Sequence, residues 1–289
     1  MKITAIESYI VVAPDLREDA TSSSQDNIVV VVYTDTGIFG VGETDTGPWI
    51  AKSVIESPGS HSMALGIKDL LIGEDPLETS ALWHKMYVGT CMSTRRGAGM
   101  CAIGAIDMAL WDIKGKALGQ PVYKLLGGAY TDKIVPYASL QPHGDNVNQY
   151  RDSLIDWLKR AKAHGFQAAK LECTLGGPYA HTGLQGSDEE MTEIVTACRE
   201  AVGKDFILMV DVQYLWRDAK SALRTIRHWD NLDLFFLETP LLVDNLEGYA
   251  ILSKEAPMRI AAGEWLNSRY EFLELMDDGL IDVAQPDVG

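Results

Sequence analysis

The chain has 289 residues, of which 46% are hydrophobic and 23% charged, which is typical of a soluble globular protein with one large or two ordinary domains. A formal net charge of −16 disfavours nucleic acid and anionic membranes as partners, although a bound cation would still admit an anionic substrate. The four cysteines form no CxxC pair and the N-terminus MKITAIESYIVV resembles neither a signal peptide nor a span, so we expect a reduced, cytoplasmic protein.

The first third of the chain has the pattern of strands followed by helices. Residues 1–12, 27–37 and 37–47 are predicted strands, and the polar, Ser-rich segment between the first two is predicted to be a mobile loop. Three glycines near residue 40 lie between strands and open no helix, which argues against a nucleotide-binding loop. From residue 49 to 126 the apolar period becomes helical. We therefore predict an α+β domain over residues 1–128.

Residues 129–289 alternate short apolar runs with helical segments, which indicates parallel strands joined by crossover helices. The predicted strands are IVPYASL, AAKLECT, FILMVDVQ, LFFLETP, RIAAGEW and DVAQPDV. The predicted helices lie near 147–165, 187–202, 218–229, 245–255 and 268–278. This order favours a (β/α)₈ barrel, which normally takes about 250 residues. With six strands predicted, we expect the barrel to be truncated after strand six.

Acidic residues stand at the ends of four of these strands. They are Asp211, Glu238, Glu264 and Asp287, separated by 27, 26 and 23 residues. The carboxyl ends of parallel barrel strands open at one mouth, so three adjacent carboxylates are expected to converge there. Uncompensated, they would repel one another, and an all-oxygen ligand set favours Mg²⁺. The alternative is that each acid merely caps the following helix.

Three further polar residues are predicted to lie near the same mouth. Lys170 and Glu172 are two apart on strand two and should share a face; the lysine is either a salt-bridge partner or a catalytic group. His143, just after strand one, is a candidate substrate contact or a solvated loop residue. His181 lies in a long polar connection that is either a lid or disordered.

Several motifs resemble the enolase superfamily and, within it, the mandelate racemase subgroup. AIGAIDMALWDIKGKALGQPVYKLLGG, residues 102–128, resembles the last helices of that family's capping domain, and VDVQ, LETP, AGEW and AQPDVG resemble its successive strand ends. The resemblance implies an α+β capping domain followed by a modified barrel, with the loops at 14–26 and 44–49 shaping specificity. It also implies that Asp211, Glu238 and Glu264 bind Mg²⁺.

The chemistry that the resemblance implies is abstraction of the proton α to a substrate carboxylate, through an enediolate that Mg²⁺ stabilises. In this subgroup the acid of strand six pairs with a histidine of strand seven. By that match Asp287 is a catalytic residue, and its histidine is expected beyond residue 289.

Two residues depart from the family pattern. The usual Lys-x-Lys of strand two is Lys170-Leu171-Glu172 here, so Glu172 could be a base, neutralise Lys170 or orient a hydroxyl. Gln213 occupies a position where other subgroups carry a histidine, which suggests either a polar substrate contact or a residue that supports the metal ligands from outside. Racemization needs proton transfer on both faces of the substrate. Because the second lysine is absent, the sequence favours dehydration over racemization.

We therefore hypothesise a magnesium-dependent hydro-lyase that dehydrates an acid sugar. A racemase, epimerase or cycloisomerase is the first alternative, and a non-catalytic metal- or ligand-binding relative is the second. The expected partner is a small carboxylate substrate, with neither nucleic acid nor membrane. The family resemblance also suggests a homo-oligomer.

Overall fold

The computed structural model describes residues 1–16, 25–180 and 184–287. The predicted loop at 14–26 lies partly, and His181 wholly, outside the described residues. Contacts divide the chain into two units, Met1–Asp132 with Asp287, and Lys133–Pro286. No helix within the described ranges is both long enough and apolar enough to cross a membrane.

The first unit contains an antiparallel sheet in the order β1-β2-β3. Its strands are β1 Ile3–Val12, β2 Asp26–Thr34 and β3 Phe39–Thr44. The central strand alternates buried with partly exposed residues, and its buried members, Ile28, Val30 and Val32, face the helices of the unit. The structure confirms the three strands that the sequence predicted in this part of the chain.

Helices complete the first unit. They are α1 Pro48–Glu56, α2 Ile67–Leu71, α3 Thr79–Thr94, α4 Ala98–Leu118 and α5 Val122–Leu125. Helix α4 packs directly on β3: a β-carbon at Gly40 or Gly42 would lie 1.9 Å from the carbonyl oxygen of Ala109 or Ala105. These glycines therefore allow the helix to pack closely on the sheet. This structural role is consistent with the prediction that they do not form a nucleotide-binding loop.

The second unit is built on a six-stranded sheet in the order β4-β5-β6-β7-β8-β9, in which every neighbouring pair is parallel. The strands are β4 Ala138–Leu140, β5 Ala168–Glu172, β6 Ile207–Asp211, β7 Leu234–Glu238, β8 Arg259–Ala262 and β9 Val283–Ala284. The helices are α6 Val147–Ala163, α7 Asp188–Val202, α8 Ala219–Ile226, α9 Leu246–Glu255 and α10 Arg269–Asp277. The fold is thus a barrel-like α/β sheet with crossover helices, as the alternating pattern predicted.

Each of these five helices begins at a side-chain cap. The capping residues are Asn146, Ser187, Asp218, Asn245 and Ser268, and each accepts a hydrogen bond from the backbone N–H three residues later. Such residues are favoured at this position because the first N–H groups of a helix have no internal partner. The strand-end acids are therefore not the caps of the following helices, and that alternative is wrong for Asp211, Glu238 and Glu264.

The predicted strand DVAQPDV, residues 282–288, is too long. Of its residues that the structure describes, Val283 and Ala284 alone pair with β8, and Asp287 is exposed three residues beyond the strand. Pro286 has no N–H to donate to a ladder, which helps to end the pairing at this point.

Candidate active site

On one face of the parallel sheet the side chains change from apolar to charged toward the carboxyl ends of the strands. Opposite the large helix-packed core, a small apolar layer contains Ala168, Met209, Phe236 and Ala261. Two residues further along β5, β6 and β7 stand Lys170, Asp211 and Glu238. Because alternate residues of a strand share a face, the apolar layer lies directly beneath the charged one. Asp211 and Glu238 are also paired across the strands, so their side chains are neighbours.

Lys170 lies between the two carboxylates. Its Nζ donates to Oε1 of Glu238 at 2.5 Å and lies 3.6 Å from Oδ2 of Asp211, while the ammonium also faces the ring of Tyr137 at 5.8 Å. The lysine side chain is only 12% exposed. Burial by itself lowers the pKa of Lys170, but the negative charges of Glu238 and Asp211 outweigh burial and raise it. The lysine is therefore protonated and neutralises the acids.

The carboxylate of Asp211 is held by two donors on one oxygen. The backbone N–H of Gln213 and the hydroxyl of Thr239 donate to Oδ1 at 2.9 Å and 2.7 Å. Both donor residues have positive φ angles, 46° and 45°. Such backbone strain in residues other than glycine costs on the order of 1–3 kcal/mol per residue and is found most often at functional sites.

Glu238 is almost fully buried. Its second oxygen, Oε2, accepts a hydrogen bond from Nε2 of Gln285 at 2.7 Å. Burial and the nearby charge of Asp211 raise the pKa of Glu238 to about 7, although Lys170 opposes the shift. A cation bound beside Glu238 would therefore stabilise the ionised form of this carboxylate.

Glu264 lies two residues beyond the end of β8, which ends at Ala262. The prediction that this acid ends its strand is therefore wrong, because Gly263 has a φ of 124° and turns the chain out of the strand. Its Oε1 accepts a hydrogen bond from the hydroxyl of Tyr214 at 2.9 Å. Burial raises the pKa of Glu264, and the bond from Tyr214 opposes the rise.

Three aromatic rings lie beside Glu264. Tyr214 stacks on Trp265 with ring centroids 3.9 Å apart, and Tyr179 packs its ring edge-on against both. Tyr214 is buried, whereas the other two rings are partly exposed. The stack restricts the position of the Tyr214 hydroxyl and thus of the carboxylate that accepts from it.

The remaining predicted residues have different surroundings. Glu172 is buried at the end of β5, paired with Asp211 across the strands. The side chain of Gln213 keeps its Oε1 buried and without a hydrogen bond within the described chain. His143 is exposed, with its ring on the hydroxyl of Ser153 at 3.1 Å. Asp287 is assigned to the first unit by its contacts. The structure thus brings Lys170, Asp211 and Glu238 into direct contact.

The donor chemistry suits a hard divalent cation. Asp211, Glu238 and Glu264 offer carboxylate oxygens, the ligands that Mg²⁺ prefers. The ammonium of Lys170 already provides positive charge between two of them. Buried acceptor oxygens of Gln213 and Gln285 lack a partner among the described residues. As they stand, no three His, Cys, Asp or Glu side chains in the described ranges are close enough together to form a metal cluster.

Sequence reasoning missed three residues that contact the acids, namely Thr239, Tyr214 and Gln285. Each follows a strand end closely: Thr239 comes directly after Glu238, and Gln285 directly after β9. Thr239 could have been predicted from the sequence, because it directly follows the strand-end acid Glu238. Nothing local predicts that Tyr214 reaches Glu264, fifty residues away in the chain.

Two family profiles match most of the chain. The profile described as "Mandelate racemase / muconate lactonizing enzyme, N-terminal domain" matches residues 6–127, and "Enolase C-terminal domain-like" matches residues 153–289. The boundary between these matches falls near the division between the two units of the structure.

Individual relatives agree with the profiles. The D-galactarolactone cycloisomerase of Agrobacterium fabrum is 29% identical over 100% of this chain and 71% of its own length. The D-galactonate dehydratase of Pectobacterium atrosepticum is 34% identical over 89% of this chain and 63% of its own. A racemase from Streptomyces coelicolor A3(2), solved with bound magnesium, is 27% identical with a TM-score of 0.81, covering 99% of this chain and 76% of its own.

The chain is shorter than these proteins. It spans between 42% and 71% of the length of the curated relatives compared with it. Both family domains are nevertheless present along almost the whole sequence, in the order in which the two structural units occur. The chain therefore belongs to the mandelate racemase subgroup of the enolase superfamily.

Proposed function

We propose that this protein is a magnesium-dependent acid-sugar dehydratase, a hydro-lyase that removes the proton α to a carboxylate and expels the β-hydroxyl group as water. The observation that carries the proposal is the buried cluster in which Lys170 contacts Glu238 and Asp211. It combines an ammonium group with carboxylate oxygens of the kind that bind a divalent cation, on one face of the parallel sheet. The named activities of the D-galactonate dehydratase and related dehydratases support this reaction class.

Asp211, Glu238 and Glu264 would hold the Mg²⁺. When bound, the cation would neutralise the substrate carboxylate and so acidify its α-proton. The chain's own residues keep the ligands ready: Tyr214 holds Glu264 and Gln285 holds Glu238. Burial and the charge of Asp211 raise the pKa of Glu238, and a bound cation would offset the cost of keeping this carboxylate ionised.

Lys170 and Glu172 are the proposed catalytic residues of β5. The ammonium of Lys170 suits stabilisation of negative charge on the substrate, because the neighbouring acids keep it protonated. Glu172, buried two residues further along the same strand, is the proposed base in place of the family's second lysine. Asp287 is retained as a proposed acid/base residue on the strength of the AQPDVG motif. Gln213 and His143 are proposed substrate contacts.

A cycloisomerase is the second candidate, and one observation favours it. The match with the D-galactarolactone cycloisomerase covers the whole of this chain and 71% of the cycloisomerase. Both reactions begin with loss of the proton α to the carboxylate, so the same residues would serve. We propose further that the six parallel strands form part of a (β/α)₈ barrel and that the protein is a homo-oligomer, which light scattering tests directly.

The test is to incubate the full chain with MgCl₂ and a library of acid sugars and acid-sugar lactones in D₂O. Formation of a 2-keto-3-deoxy acid from an open-chain acid sugar, with loss of one water, supports the dehydratase. Deuterium at the α-carbon without a keto product would replace it by a racemase or epimerase. Ring opening of a lactone to an open-chain keto acid of the same composition, without gain or loss of water, would replace it by a cycloisomerase. Stabilisation by Mg²⁺ with no turnover of any compound would indicate a binding protein. Glu238→Gln is the matched variant, expected to lose both turnover and stabilisation by Mg²⁺.

A further inference from the structure

Thr239 has an unfavourable backbone conformation. Its φ angle is 45°, and its side chain is 0% exposed. Positive φ is disfavoured for any L residue and especially for a β-branched one. Thr239 also precedes Pro240, and the residue before a proline is normally extended. Its surroundings must therefore hold this conformation in place.

Hydrogen bonds on both sides of the residue provide the restraint. The N–H of Thr239 donates to the carbonyl oxygen of Ala261 on β8 at 3.0 Å, and its own carbonyl accepts from the N–H of Tyr214 at 2.6 Å. Tyr214 and Gln213, in the turn after β6, have positive φ angles of 59° and 46°. The turns after β6 and β7 are thus tied together at three strained residues.

The strained turns aim two donors at a single atom. The hydroxyl of Thr239 and the N–H of Gln213 both donate to Oδ1 of Asp211, at 2.7 Å and 2.9 Å. In this bond the threonine hydroxyl is the donor and the aspartate oxygen the acceptor. The other oxygen, Oδ2, lies 3.6 Å from Nζ of Lys170. One oxygen of Asp211 is therefore occupied by protein donors, while the other faces the positive charge.

We propose that Thr239 is a positioning residue that fixes the rotation of the Asp211 carboxylate, so that Oδ2 is the oxygen presented to a divalent cation. The inference rests on the proposed role of Asp211 as a magnesium ligand. Groups that orient a metal ligand from outside commonly contribute tenfold to hundredfold to metal affinity. A hydroxyl that only satisfied a buried acceptor would affect stability without affecting metal binding.

The test compares Thr239→Val with Thr239→Ser by titrating the full chain with Mg²⁺ in a calorimeter and with Mn²⁺ followed by its electron paramagnetic resonance. The valine keeps the branched shape and loses the hydroxyl, and it is expected to weaken metal binding by about tenfold to a hundredfold. The serine keeps the hydroxyl, so it is expected to bind Mg²⁺ nearly as tightly as the unsubstituted chain.

Thr225→Val is the matched control. Thr225 is also a buried threonine whose hydroxyl donates to an aspartate, Asp188, at 2.5 Å, but that aspartate starts helix α7. Its loss should lower the melting temperature and leave the affinity for Mg²⁺ unchanged. If Thr239→Val does not fold, Thr239→Ala removes the same hydroxyl without placing a second methyl group near the carboxylate.

Two results would overturn the inference alone: unchanged Mg²⁺ affinity in the hydroxyl-free variant, or equal losses in the serine and valine variants. If the unsubstituted chain binds neither Mg²⁺ nor Mn²⁺, the proposed ligand role of Asp211 fails, and the inference falls with it.

Discussion

The ammonium group of Lys170 lies 2.5 Å from Oε1 of Glu238, and both side chains are buried on the same face of the sheet. The pair places one positive charge against two acids, because Asp211 is also within 4 Å of the lysine. Removing one partner of a buried ion pair leaves an uncompensated charge, which is far more costly than losing an exposed pair.

Lys170→Met is therefore expected to lower the free energy of unfolding by about 3 kcal/mol without metal. Added MgCl₂ should restore part of the loss, because a cation then neutralises Glu238 and Asp211. Urea unfolding with and without MgCl₂ measures both effects. The control is Lys159→Met on the exposed face of α6, where a change within about 0.5 kcal/mol is expected. Equal stability of the two variants would contradict the proposed charge balance.

Glu172→Gln is expected to separate catalysis from metal binding. Glu172 is buried on β5 two residues beyond Lys170, and the glutamine keeps its shape while removing its ability to take a proton. Loss of a general base should reduce kcat by about 10²–10⁴-fold, with the affinity for Mg²⁺ unchanged. Steady-state kinetics and Mg²⁺ titration test this, with the exposed Glu200→Gln as control. Unchanged kcat would remove Glu172 from the mechanism.

Tyr214→Phe removes the hydroxyl that donates to Glu264 and leaves the ring stacked on Trp265. We expect weaker Mg²⁺ binding with an intact aromatic near-ultraviolet circular dichroism spectrum, since the carboxylate loses its positioning donor but the packing remains. Tyr249→Phe is the control. It removes a buried hydroxyl that donates to the carbonyl of Leu241, and it should cost about 1 kcal/mol of stability with no change in metal affinity. A Tyr214→Phe variant with full affinity would show that Glu264 needs no such donor.

Asp107, on helix α4, gives a pH-dependent prediction. Burial raises its pKa from 3.8 to about 6, and a hydrogen bond from Trp111 only partly opposes the rise. Since the folded state then binds the proton more tightly, the carboxyl's contribution is greatest below pH 3.8 and is lost as the pH rises through about 6. After allowance for partial exposure, the loss is about 1–2 kcal/mol.

Asp107→Asn should therefore stabilise the protein at pH 7 by about that amount and flatten its stability between pH 4 and 6. Chemical unfolding across this pH range measures the effect, with the exposed Asp277→Asn as control. A variant that is less stable than the unsubstituted chain at pH 7 would show that the charged form of Asp107 is needed, for example by a partner cation.

The strand-end acids show which strand ends the local sequence pattern predicts correctly and which it does not. Asp211 and Glu238 end their strands as predicted, because each follows a strongly apolar run and the parallel register aligns the two ends. The same reasoning placed Glu264 at the end of a strand, where the positive φ of Gly263 instead turns the chain away. It also predicted a last strand over residues 282–288, whereas pairing within the described part of this segment ends at Ala284.

The sequence by itself determined the two-part organisation, the alternation of parallel strands with helices, and the positions of Asp211 and Glu238 at strand ends, because apolar periodicity and strand-end positions are local properties. Only the tertiary structure decided how those acids are held. Thr239 and Tyr214 take strained conformations that no local preference favours. Hydrogen bonds between neighbouring turns hold these conformations, and they join residues that are more than twenty positions apart in the chain.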